Sequence, residues 1–143
     1  MNKEHNSIML MRKFHLILDK NLNKILNQNE ITLAQAHILQ VLYFQLDGNC
    51  EYKKLEKWMG VAQSTTVNLI NTLEKKGFVE TYSSEKDKRV KNVRITEKGK
   101  NICEWSNNKA ETEGSAFFKG LTEEEKEIFF MLLEKICNNL SKD

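Results

Sequence analysis

Residues 52–99 carry helix-period and strand-period segments in a set order, each closed by a turn former, and that order restricts the possible folds more than any other feature of the chain. YKKLEKWMG (52–60) predicts a short amphipathic helix with Leu55, Trp58 and Met59 on its apolar side. Gly60 stops it, because glycine accepts positive φ at little steric cost. After a tight turn, VAQSTTVNLINTLEKKG (61–77) resumes helical period. Val67, Ile70, Leu73 and Glu74 fall on one stripe, and Ser64, Thr65, Asn68, Asn71, Thr72 and Lys75 on the opposite one. Gly77 ends this second helix. FVETY (78–82) and RVKNVRI (89–95) are β-prone, and the turn-forming and charged residues 83–88 between them predict a hairpin with an exposed basic tip.

The outward stripe of the second helix holds small hydroxyls and amides where a solvated helix ordinarily shows Glu and Lys. Asn and Gln pair bidentately with adenine, Ser and Thr donate or accept, and a Thr methyl packs on thymine, so such a helix suits a DNA major groove. Gln63, Ser64, Thr65, Thr66, Asn68, Asn71 and Lys75 are the candidate contacts. A hairpin directly after such a helix is a wing, which can place Arg89 or Lys88 in a neighbouring minor groove, where narrow A·T-rich segments concentrate negative potential, with Lys86 and Lys91 as further candidate DNA contacts. Asp87 looks out of place against DNA; two residues before Arg89, its expected use is to hold the guanidinium by a charge-assisted hydrogen bond. Plainer readings are a surface helix with polar filler and an ordinary hairpin-tip ion pair worth about 0–1 kcal/mol. The net charge of +2 conceals +1 in residues 1–49, +5 in 50–100 and −4 in 101–143. The positive excess coincides with the candidate reading elements, where Lys53, Lys54, Lys57, Lys75, Lys76, Lys88, Arg89 and Lys91 are expected to meet phosphates.

Asp87-Lys88-Arg89, followed by Val93-Arg94-Ile95-Thr96-Glu97-Lys98-Gly99, resembles the D-x-R…V-x-[LI]-T-x-x-G wing signature of the MarR family of bacterial transcription regulators. LEKWMGVAQSTTVNLINTLEKKGFV (55–79) is similar to that family's helix, turn, recognition helix and L-E-x-x-G-[FL]-[VI] exit into the wing, and the resemblance covers essentially the whole chain. It implies a mainly α fold with a small β-hairpin wing: a single MarR-type domain over 1–143, with a DNA-binding winged helix-turn-helix at about 31–96 and dimerisation helices at about 6–28 and 97–141. It further implies a homodimer on double-stranded DNA, with the recognition helix in the major groove and the wing in the minor groove of a pseudo-palindromic operator. The implied role is repression, relieved by a small aromatic or anionic effector, with no cofactor. Two positions depart from the pattern. Ala62 stands where many members have a Ser, Thr or Asp N-cap, leaving Gln63 or Ser64 to serve the free N–H groups. No Arg precedes Lys75 on the outward stripe, so the operator is expected to lean towards A·T.

Outside this unit, Ile8, Met11, Leu18, Leu22 and Ile25 mark a long amphipathic helix widened by Phe14 and Ile17. Thr32 with Gln35 forms a capping box for LAQAHILQVLYFQL (33–46), which Asp47-Gly48-Asn49 ends. Thr96 N-caps a helix through Ile102, Trp105, Ala110 and Phe117, Gly120 closes that segment, and Thr122 with Glu125 opens a last helix bearing Phe129, Leu132, Leu133, Ile136 and Leu140. Such terminal stripes imply intramolecular packing, a dimer interface, or both; a dimer would set two recognition helices about 34–36 Å apart.

The apolar run 8–11 is too short for a membrane span or a signal peptide, and Arg12 and Lys13 interrupt it. Cys50, Cys103 and Cys137 are odd in number and widely spaced, which argues against a disulfide framework and fits a reducing cytoplasm. His37 resembles a position used by zinc-sensing relatives, but the neighbouring acidic position is Ala36; with only Cys103 and His5 or His15 besides, no metal is expected and His37 reads as a packed histidine. Cys50 is a candidate thiol sensor set against ordinary burial, and Trp58 and Trp105 are expected in the core or an interface. The competing readings are a winged-helix protein-interaction module and a metal- or redox-sensing regulator. An enzyme is the weakest, for want of a convergent His, Cys and carboxylate set or a phosphate-cradling glycine loop.

Overall fold

The computed structural model describes residues 6–141. The chain divides after Ala110 into two compact units. In the first, α1 (Ser7–Leu26) buries only Ile25 and Leu26, and a 3-10 turn (Asn27–Asn29) follows. Glu30 then takes left-handed backbone, φ 55°. Thr32 opens α2 (Leu33–Gln40) with the expected capping box: its hydroxyl accepts from Gln35 N–H at 3.2 Å, and Gln35 Oε1 accepts from Thr32 N–H at 3.1 Å. Asn23 Oδ1 accepts from Leu33 N–H at 2.8 Å, tying α1 to the start of α2. A π-helical turn (Val41–Gln45) continues α2 until Asp47 and Gly48, both at positive φ, break it.

The wing is larger than a hairpin. β1 (Asn49–Glu51), β2 (Val79–Ser83) and β3 (Lys91–Ile95) form a three-stranded antiparallel sheet in the order β1-β3-β2. Val93 stands opposite both Cys50 and Thr81, so the central strand is paired on each side. Asn49, expected to help end the preceding helix, instead begins a strand. β3 starts at Lys91, not at Arg89, because Val90 N–H donates to Asp87 O at 3.0 Å and closes a turn there.

α3 (Tyr52–Met59) stops at Gly60, whose φ of 64° is the left-handed conformation expected of it. α4 (Gln63–Lys75) is shorter at both ends than residues 61–77, and its inward face is Thr66, Ile70 and Leu73. Val67 is only half-buried and Glu74 is exposed, so the expected inward stripe is rotated. Leu39 and Leu42, Leu55, Ile70 and Leu73, Val93 and Cys103 are fully buried, joining α2, its π turn, α3, α4, β3 and α5 (Glu97–Gly114) in one core. Burying each large aliphatic side chain contributes about 1.5–3 kcal/mol, so the angle of α4 is set by packing. Thr96 caps α5 as expected: its hydroxyl accepts from Gly99 N–H at 3.0 Å and donates to Gly77 O at 2.7 Å, pinning the start of α5 to the exit of α4.

In the second unit, Gly120 (φ 89°) follows a 3-10 turn (Ser115–Phe118), and Thr122 and Glu125 form the capping box of α6 (Glu123–Leu140). Ile128, Met131, Leu132, Leu133 and Ile136 of α6 are exposed, as are Ile8, Leu10, Phe14, Leu16 and Ile17 of α1. Among the described residues, no helix is long and apolar enough to cross a membrane.

Candidate nucleic-acid interface

With Ile70 and Leu73 turned inward, α4 presents Gln63, Ser64, Thr65, Asn68, Asn71 and Lys75, all of them exposed. Thr66 is not among them. It is fully buried and its hydroxyl has no hydrogen-bond partner, so it is withdrawn from the candidate contacts. The reason is legible in the spacing: Thr66, Ile70 and Leu73 stand at i, i+4 and i+7, one face of a helix. Ala62 supplies no side-chain cap, but its carbonyl accepts from Thr65 N–H at 3.0 Å and from Thr66 N–H at 3.1 Å, which starts α4.

At the wing tip, Asp87 does two things. Its Oδ1 accepts from Arg89 N–H at 3.0 Å, which shapes the turn, and also from Arg89 Nε–H at 3.1 Å, while Oδ2 accepts from Nη2–H at 3.2 Å. The guanidinium is thus held in a fork, as the Asp-x-Arg spacing leads one to expect. These bonds, the side-chain ones foremost, hold the Asp87 carboxyl below the ordinary carboxylate range. The Arg89 side chain stays 91% exposed, so the pair aims the cation outward. Lys86, Lys88 and Lys91 are exposed around it. A hollow of about 430 Å³ separates the wing from the helices, lined by Tyr52, Lys53 and Gln63 on one side, Arg89 and Lys91 on the other, with Glu51, Glu56 and Asp87 contributing acid. Tyr52 was not singled out by its sequence context; its place follows from β1 leading straight into α3.

Several expectations are corrected here. Lys76, expected at a phosphate, donates instead to Glu30 O and Gln35 Oε1. His37 is exposed rather than packed; Trp58 is 51% exposed, which takes it out of the core and leaves the interface alternative, and both line a hollow with Gln40, Phe44 and Asn107. Trp105 is partly buried against the core. Cys50 and Cys103 are buried, and burial pushes both thiols up, Cys103 to about 11, away from the reactive thiolate. Cys137 is exposed on α6. His15 pairs with Asp19 at 3.3 Å, and His5 lies outside the described residues. Among the described residues, no three His, Cys, Asp or Glu side chains gather as a metal site.

A helix-turn-helix continued by a β wing, with hydroxyl, amide and cationic side chains along its exposed face, defines the class as a winged-helix DNA-binding protein. Comparison with known proteins narrows this. Residues 31–91 match the MarR family model. The chain is 31% identical over 114 residues to the HTH-type transcriptional regulator YybA of Bacillus subtilis, covering 80% of this chain and 76% of the relative. Among solved structures it is similar to a mutant of E. coli MarR complexed with operator DNA, at 26% identity and TM-score 0.78, covering 95% of this chain and 99% of that one. It is likewise similar to the S. aureus MepR–DNA complex, at 25% identity and TM-score 0.82, covering 94% and 98%. The chain belongs to the MarR family and is a transcriptional regulator of that family.

Proposed function

We propose that this regulator is a homodimeric repressor of a two-fold, A·T-leaning operator in double-stranded DNA, released by a small aromatic or anionic effector. In this reading α4 lies in the major groove, with Gln63, Ser64, Thr65, Asn68 and Asn71 at base edges and Lys75 at a phosphate. The wing lies in the minor groove through Arg89, with Lys86, Lys88 and Lys91 on the backbone. The observation that carries the reading is the preset Arg89: its guanidinium is already oriented by Asp87 yet almost wholly exposed, so little side-chain freedom is lost on binding. The winged helix-turn-helix occupies about 31–96, flanked by dimerisation helices at about 6–28 and 97–141. The apolar residues left exposed on α1 and α6 support the dimer. The effector reading is supported by the hollow at His37, where Phe44 (52% exposed) and Trp58 (51%) offer aromatic faces to an aromatic ring.

The test is fluorescence anisotropy on labelled DNA from upstream of the protein's own gene, against scrambled DNA of equal composition, across a salt series. Strong preference for the upstream fragment, falling steeply with salt, is expected. Weak and equal binding to both would favour the protein-interaction module.

A further inference from the structure

Consecutive lysines at the end of α4 do opposite work. Successive helical positions point about 100° apart, and Lys75 is exposed on the reading side while Lys76 is half-buried and turned back into the protein. Its ammonium reaches 46 residues back along the chain to Glu30 O, and also donates to Gln35 Oε1 at 3.1 Å. Both acceptors belong to the corner between α1 and α2: Glu30 is the left-handed residue that turns it, and Gln35 is the capping-box partner of Thr32. From the other side, Lys98 at the start of α5 donates to Lys76 O at 2.8 Å and lies over the Phe78 ring, 5.2 Å from its centroid. The last turn of α4 is therefore tied by one ammonium to the α1–α2 corner and by another to α5.

We propose that Lys76 is a positioning residue for operator recognition: held between Glu30 O and Gln35 Oε1, it fixes the C-terminal end of α4 and so the direction in which the reading face is presented. The proposal rests on the DNA-binding reading above. It matters because α1 and α5 lead into the proposed dimer contacts, so the two ammonium ties connect the recognition helix to the elements that would set the distance between half-sites. A phosphate contact would serve any DNA sequence equally; a strut serves only the operator whose geometry matches.

Three variants test it: Lys76→Met, which keeps the stem and removes the donors; Lys76→Arg, which keeps donors; and Lys98→Met. Each is titrated on the fragment upstream of the protein's own gene, on scrambled DNA of equal composition, and on the same fragment with one base pair inserted between the half-sites mapped by footprinting, across a salt series, with thermal unfolding as the folding control. Lys76→Met is expected to lower operator affinity about tenfold, the order of losing a hydrogen bond to a charged group, while scrambled-DNA binding and the salt slope stay unchanged. The gap between correct and altered spacings should narrow, and Lys76→Arg should restore it. A salt slope smaller by about 1.8, one phosphate lost per protomer of the dimer, with both affinities falling together, would make Lys76 a phosphate contact and overturn the proposal. So would unchanged operator affinity in a folded Lys76→Met protein. Should that variant unfold, Lys98→Met takes its place, and wild-type spacing selectivity there would overturn the strut. Wild-type protein that fails to distinguish operator from scrambled DNA would instead sink the DNA-binding reading itself.

Discussion

Gly99 lies so close to Phe78 that a methyl group in place of its hydrogen would overlap the Phe78 carbonyl oxygen, with Ile95 Cγ1 only 2.8 Å away on another side. That carbonyl is fixed, since it accepts from Thr96 N–H at 3.0 Å, so backbone would have to move. The T-x-x-G of the wing signature thus has a steric cause: Thr96 caps α5, and Gly99 lets that capped turn cross the exit of α4. Gly99→Ala should destabilise the protein by about 2 kcal/mol, the range of overpacked sites. Urea unfolding measures it, and an unshifted midpoint would show that the crossing relaxes freely.

For the wing, charge alone and geometry give opposite answers. Asp87→Asn removes a negative charge from the DNA-facing surface, which by Coulomb's law should tighten binding; the loss of the fork on Arg89 should instead weaken it. We expect operator affinity to fall about three- to tenfold with little change in unfolding midpoint, and Arg89→Ala to fall further with a salt slope smaller by about 2, one cation lost per protomer of the dimer. The Asp87 carboxyl is depressed in the folded protein, so what it contributes is present in full above the ordinary carboxylate range and is lost only as pH falls through the lowered value. A carboxyl NMR titration should show that depression, and Arg89→Ala should raise the midpoint.

Thr66→Val should stabilise the fold by about 1 kcal/mol, because the hydroxyl it removes is buried without a partner. DNA selectivity should not change. Asn68→Ala, two residues further on and exposed, should relax preference at one base pair of each half-site by about 1–3 kcal/mol. Altered selectivity in Thr66→Val would return that residue to the contact set.

Thiol chemistry separates the cysteines. In native protein at neutral pH, Cys50 and Cys103 should resist alkylation, being buried with thiols pushed up, and all three should react after unfolding. Peptide mapping by mass spectrometry reads this, and rapid native labelling of Cys50 would revive the thiol-sensor reading.

The exposed apolar residues of α1 and α6 should make the protein dimeric at micromolar concentration. Sedimentation equilibrium should give twice the chain mass, with Leu16→Glu or Leu132→Glu shifting it towards monomer and weakening operator binding. A monomeric wild type with operator binding intact would refute the dimer.

The features legible in the sequence were those with local causes. Capping boxes at Thr32 and Thr122, the Thr96 cap and the stop at Gly60 depend on residues within a turn of each other, and the structure contains all four. The fork between Asp87 and Arg89 is equally local. What escaped depends on distant partners. β1 is three residues with no period of their own, and it becomes a strand only because residues 92–94 lie beside it. Lys76 looked like any cation of a basic helix, because the carbonyl that claims it is 46 residues away. Thr66 is different: its helical spacing to Ile70 and Leu73 is a local signal for burial, set against a hydroxyl that suits an outward face equally well.

β3 is hydrogen-bonded to β2 on one side and β1 on the other, and β1 enters α3 without a linker. A wing built this way is no free flap, since it shares a frame with the first helix of the helix-turn-helix. On the proposed operator, misfit between frame and half-site then falls on the softer partner, the double helix. Base steps that no side chain touches, flexible pyrimidine–purine steps above all, would acquire a say in where the protein settles, so a search for its sites by contacted bases alone would miss part of the code.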